Sequence, residues 1–209
     1  AVVTAAASTN GLTVLETFGY NSSSGITQSG LKAPDLVSTA AVFLDVNSRL
    51  DRNLAIAIVN PNPSTTSVTF TFRKTDGTQL TTKTISVDGR RQTPQYLTDL
   101  VTITTTTSGG LGGSQPVVNE YSGTFSISST LPVSILALRN RGNNFNALPV
   151  INLGAIGLMP TISSGVGGTN SFLLPQFAAG GGWASQIVVM NSNSSPATVR
   201  LDLFKQDGT

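Results

Sequence analysis

Between residues 67 and 73 apolar and polar positions alternate: Val68, Phe70 and Phe72 are separated by Thr69 and Thr71 and flanked by Ser67 and Arg73. A period of two is that of a strand with one buried and one wet face. Val199, Leu201 and Leu203 repeat the period with Arg200 and Asp202 between them. Ahead of the first run lies Asn60-Pro61-Asn62-Pro63, and ahead of the second the cluster Asn191 to Pro196, where proline and asparagine interrupt a ladder. Behind each comes Asp-Gly, a hairpin signal because glycine accepts a positive φ without steric cost.

The likeness extends over 26 residues. Residues 53–78 (NLAIAIVNPNPSTTSVTFTFRKTDGT) and 184–209 (ASQIVVMNSNSSPATVRLDLFKQDGT) align without a gap at an offset of 131. Ile56 falls on Ile187, Ile58 on Val189, Asn60 on Asn191, Val68 on Val199, and Lys74, Asp76, Gly77 and Thr78 on Lys205, Asp207, Gly208 and Thr209. Internal similarity of this kind marks a repeated structural unit. Each copy is expected to hold a strand, a turn, a second strand and a hairpin turn.

The first copy continues into further strand signals. Leu80 to Val87 reads as the return strand and Asp88-Gly89 as a turn. Arg91 to Leu100 reads as a polar edge strand running into a short helical turn, and Val101 to Thr107 as a β-branched strand. Gly109 to Gly113 reads as a loop tip. Tyr121 to Ser128 and Val133 to Arg139 read as two strands, with Pro132 opening the second where its missing N–H does least harm. Short strands at this spacing predict an all-β fold, an antiparallel β-sandwich of Ig-like size.

The expected organisation is an N-terminal β segment over 1–38, a complete sandwich over 39–153, and a linker with the first strands of a second copy over 154–209. The second copy reaches only its hairpin turn, and Leu12 to Asn21 loosely resembles Val133 to Gly142, the last strong strand of the complete copy. The N-terminal segment therefore reads as the closing strand of a preceding or neighbouring copy. An uncovered strand leaves each large apolar side chain in water at about 1.5–3 kcal/mol, and an open edge invites pairing with another chain. Val14, Phe18, Val199, Leu201 and Leu203 are the expected subunit interface.

Composition narrows the chemistry. Of 209 residues 11% are charged and 39% apolar, with 21 glycines, 10 prolines and about a quarter serine plus threonine, too apolar for disorder and wrong for a helical protein. There is no histidine and no cysteine, which removes the usual general base, thiolate nucleophiles, thiolate metal sites and disulfides. Twelve cations against ten anions give +2, too little to neutralise a row of phosphates, so nucleic acid is not an expected partner. The most apolar stretch, Val150 to Pro160, is about half the length of a spanning helix, so membrane insertion is not expected. The chain opens AVVTAAASTN without methionine, which reads as a mature product after removal of an export signal or as a piece of something longer. An extracellular or cell-surface location is the expectation.

Several residue clusters invite a functional reading. Asp45, Asn47 and Asp51 mimic the opening of a calcium loop, but the sharp-turn glycine is missing and Ile56 stands where a bidentate glutamate belongs. The glycine clusters Gly109–Gly113, Gly165–Gly168 and Gly180–Gly182 lead into loop or strand rather than a helix N-terminus, so they read as linkers and turns. Glu16 and Glu120 are the two glutamates, and nothing in the spacing pairs acids as a glycosidase requires. Lys83 and Glu16 share parity with apolar neighbours, which reads as long side chains snorkelling at a sheet rim, with a Lys–Asn or Lys–Asp crosslink as the sharper option. Trp183, Tyr20, Tyr96 and Tyr121 make no visible row and read as core or rim packing. Asn21-Ser-Ser and Asn193-Ser-Ser satisfy the glycosylation pattern. No catalytic, cofactor or metal residues are expected.

The combination of NLAIAIVNPNP at 53–63, FTFRKTDGT at 70–78, YLTDL at 96–100, SGTFSISSTLPVSILALRN at 122–140, ALPV at 147–150 and LLPQFAAGGGW at 173–183 resembles a repeat domain of secreted multidomain proteins of environmental bacteria. That resemblance implies a broadly Ig-like fold and an extracellular, modular, non-enzymatic role, and it carries no site residues. The resulting expectation is a structural subunit that joins copies of itself head to tail by β-strand complementation into a filament. The alternative is an adhesin-like or carbohydrate-binding module within a longer secreted protein.

Overall fold

The computed structural model describes residues 14–23, 25–107, 115–118, 120–154, 158–163, 166–169, 171–172, 174, 177–191 and 195–204. The chain divides into two units, Ala1–Gly154 and Ala155–Thr209.

The first unit opens with a hairpin of β1 (Leu15–Ser22) and β2 (Gly25–Lys32). There follow β3 (Leu36–Asn47), a 3₁₀ turn at Ser48–Leu50, β4 (Arg52–Val59), β5 (Thr66–Lys74), β6 (Gln79–Val87) and β7 (Gln92–Tyr96). A single helical turn, α1 (Leu97–Leu100), precedes the paired strands β8 (Thr104–Thr107) and β9 (Gln115–Val118). The unit closes with β10 (Glu120–Arg141), β11 (Asn144–Leu148) and β12 (Ile151–Asn152). Every ladder is antiparallel, and the fold is all-β and sandwich-like, as the alternation predicts.

β10 builds both layers. Its first half runs between β3 and β5, with Phe125 opposite Val42 on one side and Phe72 on the other. Its second half runs between β4 and β11, with Ala137 opposite Ile56 and Leu148. One layer is thus ordered β12-β3-β10-β5-β6 and the other β7-β4-β10-β11. The sequence reading of two strands here, divided at Pro132, is corrected: one strand of 22 residues continues through the proline. The ladder register shifts between Ser128 and Val133 as the strand passes from layer to layer. Side chains satisfy the backbone there. The Leu131 N–H donates to Thr66 Oγ1 at 3.1 Å, the Ser67 N–H to Thr130 Oγ1 at 3.1 Å, and Asn62 Nδ2 to the Pro132 carbonyl at 2.8 Å. Pro132 costs no ladder bond at a corner where none is made.

The core lies between the layers. Val42, Leu44, Val68, Phe70, Phe72, Phe125 and Ile127 face Leu54, Ile56, Ile58, Val133 and Ile135 in one continuous buried cluster. Phe125 is central, with ring centroids 6.1 Å from Phe70 and 5.8 Å from Phe72. The outward face of the β5–β6–β10 layer is hydroxylated: Thr69 sits opposite Thr84 and Ser128, and Thr71 opposite Thr82 and Ser126.

In the second unit β13 (Leu158–Ser163) pairs with β14 (Val166–Thr169), so Gly167 and Gly168 lie in a strand rather than in the linker expected of them. Gly180, Gly181 and Gly182, all at positive φ, make the tight turn that brings Gly180 to Trp183. None of the described residues from 184 to 204 joins a ladder. The glycine tip at 109–113, Gly165, Asn193 and the Asp207-Gly208 turn lie outside the described residues.

Candidate functional site

The first copy of the repeat forms what its pattern predicts: β4, a turn, β5 and a hairpin turn. At the hairpin, Gly77 takes φ +85°, its N–H donates to the Lys74 carbonyl at 3.0 Å, and the Thr78 N–H donates to Asp76 Oδ1 at 2.8 Å. That hydrogen bond holds the Asp76 carboxyl below the usual carboxylate range.

The turn between β4 and β5 is organised by Asn60, a fully buried polar side chain. Its Nδ2 donates to the carbonyls of Ser64 at 2.8 Å, Val87 at 2.9 Å and Asp88 at 3.3 Å. Its Oδ1 accepts from the Asn62 N–H at 3.0 Å and from Asn62 Nδ2 at 2.8 Å. One side chain thereby ties the crossing between the layers to the end of β6. Gly89 completes the clasp, since a methyl group there would overlap the Pro63 carbonyl.

One hydrogen bond of this turn recurs among the described residues of 184–209. Asn191 Nδ2 donates to the Ser195 carbonyl at 2.8 Å, the counterpart at offset 131 of the bond from Asn60 to Ser64. The apolar positions that follow differ in their surroundings. Val68, Phe70 and Phe72 are each 0% exposed, whereas Val199, Leu201 and Leu203 are 61%, 57% and 59% exposed. The same alternation thus lies in a core strand at 68–72 and, among the described residues, at exposed positions outside any ladder at 199–203. Three such side chains in water forgo about 1.5–3 kcal/mol apiece.

The N-terminal interface residues behave differently. β1 finds its partner in β2 of the same chain, register Leu15 to Lys32 through Ser22 to Gly25. The hairpin is anchored to β11: Thr27 Oγ1 donates to Asn144 Oδ1 at 3.0 Å, and the Ala147 N–H donates to Ser29 Oγ at 3.0 Å. Val14 and Phe18 are half-buried, and Phe18 lines a trough of about 460 Å³ with Ala55, Ala57, Pro94, Tyr96 and Leu136 of the sandwich. Val14 and Phe18 thus belong to the first unit, where they are half-buried, and Val199, Leu201 and Leu203 to the second, where each is exposed.

The remaining candidates have structural employment. Asp45 pairs with Arg52 at 3.0 Å, Asn47 Oδ1 accepts from the Leu50 N–H at 3.0 Å, and the Asp51 carbonyl accepts from the Gly142 N–H at 3.0 Å. Among the described residues no three acidic side chains converge as metal ligands, and no helix is long and apolar enough to cross a membrane. Glu120 forms an ion pair with Arg49, whose guanidinium holds the carboxyl below its ordinary range. Glu16 and Lys83 are exposed, Lys83 on the rim strand β6. Tyr121 is packed in the core and donates its hydroxyl to the Arg73 carbonyl; burial, with the Asp76 charge adding, pushes its pKa up to about 12. Tyr20, Tyr96 and Trp183 are exposed rather than packed, and Asn21 is exposed near the tip of the first hairpin.

Comparison with protein-family models, with curated proteins and with solved structures finds no match.

Sequence reasoning took Asn60 for a turn breaker and did not anticipate it as a buried hub. The available signal is the recurrence of Asn60, Asn62 and Ser64 as Asn191, Asn193 and Ser195 while the prolines between them become serines.

Proposed function

We propose that this chain is an extracellular structural subunit that joins copies of itself head to tail by β-strand complementation. The observation that carries this reading is the exposure of Val199, Leu201 and Leu203, whose sequence counterparts Val68, Phe70 and Phe72 are core residues of the sandwich. A strand with that alternation is half of a core, and a neighbouring copy supplies the missing half. The donor stripe and the sandwich occupy different parts of one chain, so the contact is heterologous and repeats from copy to copy. Main-chain hydrogen bonds give the joint its continuity, and the alternate apolar side chains give it register. The low charge and the wealth of Ser, Thr, Asn and Gly support a place outside the cell.

The test is the assembly state of the purified chain. Light scattering and negative-stain microscopy are expected to show elongated oligomers that shorten to monomers when Val199, Leu201 and Leu203 are all replaced by aspartate. Those positions are exposed, so the circular dichroism of the sandwich is expected to stay unchanged. A wild-type chain that remains monomeric at high concentration, or a triple variant that assembles like wild type, overturns the reading. A monomer that binds neutral glycans on an array favours the adhesive module instead.

A further inference from the structure

We infer that the acceptor for this donor strand is the free edge of β6 in a neighbouring copy. The inference rests on the self-assembly reading and names the surface it needs. Strand addition requires a sheet edge with unpaired main-chain groups over a useful length. Among the described residues the sandwich offers four flanks. β12 is two residues long and covers only Ala41 and Ala40 of β3, which leaves residues 42–46 as an edge, five positions against the donor's nine. β7 has five residues with Pro94 at its centre, and an edge proline lacks the N–H that an added strand would use. β11 also has five residues, and the β1–β2 hairpin is anchored to it through Thr27 and Ser29. β6 has nine residues, no proline, and β5 as its ladder partner.

The donor matches that edge in length and in pattern. At the offset of 131, the nine residues of β5 correspond to positions 197–205, of which 197–204 are described. On the inward side of β6, Thr81, Lys83 and Ile85 lie opposite Phe72, Phe70 and Val68. Ile85 packs against the core cluster yet is only half-buried, so the apolar rows thin out at this rim. An added strand that turns Val199, Leu201 and Leu203 inward prolongs those rows by one strand. Arg200 and Asp202 then fall on the outer face beside the hydroxyls of Thr82 and Thr84. Lys83, the one charged residue of β6, guards the edge against indiscriminate pairing, since its ammonium must stay in water while its stem lies along the added strand. An antiparallel arrangement continues the pattern of every existing ladder.

The chain contains no cysteine, so introduced thiols report on one contact at a time. Arg200→Cys is combined with Thr82→Cys, and separately with Thr84→Cys; a control pair places Arg200→Cys with Gln92→Cys on β7. All these side chains are exposed or lie at the rim, and circular dichroism checks that each variant is folded. Mild oxidation is expected to give a ladder of disulfide-linked oligomers from at least one β6 pair and its loss in the β7 pair, because the bond closes only between adjacent strands. A ladder from the β7 pair with none from β6, or a crosslinked monomer in place of oligomers, overturns the acceptor assignment. So do filaments in the microscope that form without any β6 crosslink, an outcome that leaves self-assembly standing. A wild-type chain that is monomeric by light scattering instead removes the reading on which the assignment rests.

Discussion

Asn60 shows how one polar residue can hold two layers together. A buried amide left without partners costs several kcal/mol, and here both of its ends are satisfied by backbone and by Asn62. Asn60→Ala removes the donor to the Ser64 and Val87 carbonyls and loosens the turn, and is expected to lower unfolding free energy by about 2–4 kcal/mol in a denaturant titration. Asn191→Ala, at an exposed position outside the sandwich, is expected to leave that titration unchanged. Tyr121 supplies a second test at this scale. Its pKa is raised in the folded chain to about 12, so the neutral phenol is stabilised by folding. That contribution is complete below the unfolded value near 10 and is lost as pH rises from about 10 through about 12. Allowing for screening by solvent, the loss is about 1–2 kcal/mol, and Tyr121→Phe is expected to flatten the alkaline limb of a stability-against-pH curve.

At the scale of elements, β10 decides the architecture. Its odd-numbered residues face the core in both halves, Tyr121, Phe125 and Ile127 before the bend and Val133, Ile135 and Ala137 after it. The alternation was legible in the sequence, as were β5, β6, the edge strand β7 with its helical turn, and the Asp-Gly hairpin. The continuity through Pro132 was not, because a proline reads as a break unless one knows that a corner lies there and that Thr66 and Asn62 reach across to serve it. Phe125, touching both Phe70 and Phe72 from the middle of β10, is the side chain whose removal should be felt most. Phe125→Ala is expected to cost about 3–5 kcal/mol, measured as a lower denaturation midpoint, since the aromatic cluster cannot close over the void.

For the molecule as a whole, two copies of one pattern meet two fates. Amide protection should divide accordingly: the central amides of β10 and β5 are expected to exchange only with global unfolding, and those of 197–204 at once in the monomer. On self-assembly the latter are expected to become protected, together with amides of β6 that are open in the monomer. Hydrogen exchange read by mass spectrometry at low and high protein concentration checks both statements. Unchanged exchange in 197–204 upon assembly would place the contact elsewhere.

The spacing of apolar residues was sufficient to declare the strands of the sandwich, their inward faces and their tight turns, because those properties follow from backbone periodicity and from the few residues that tolerate a turn. Tertiary structure alone decided which stretch acquires a covering layer. Val68 and Val199 carry the same side chain in the same local pattern, yet one lies in the core beneath the layer that carries Ile56 while the other faces water. Burial is a property of distant neighbours, and no local pattern can report whether those neighbours are there.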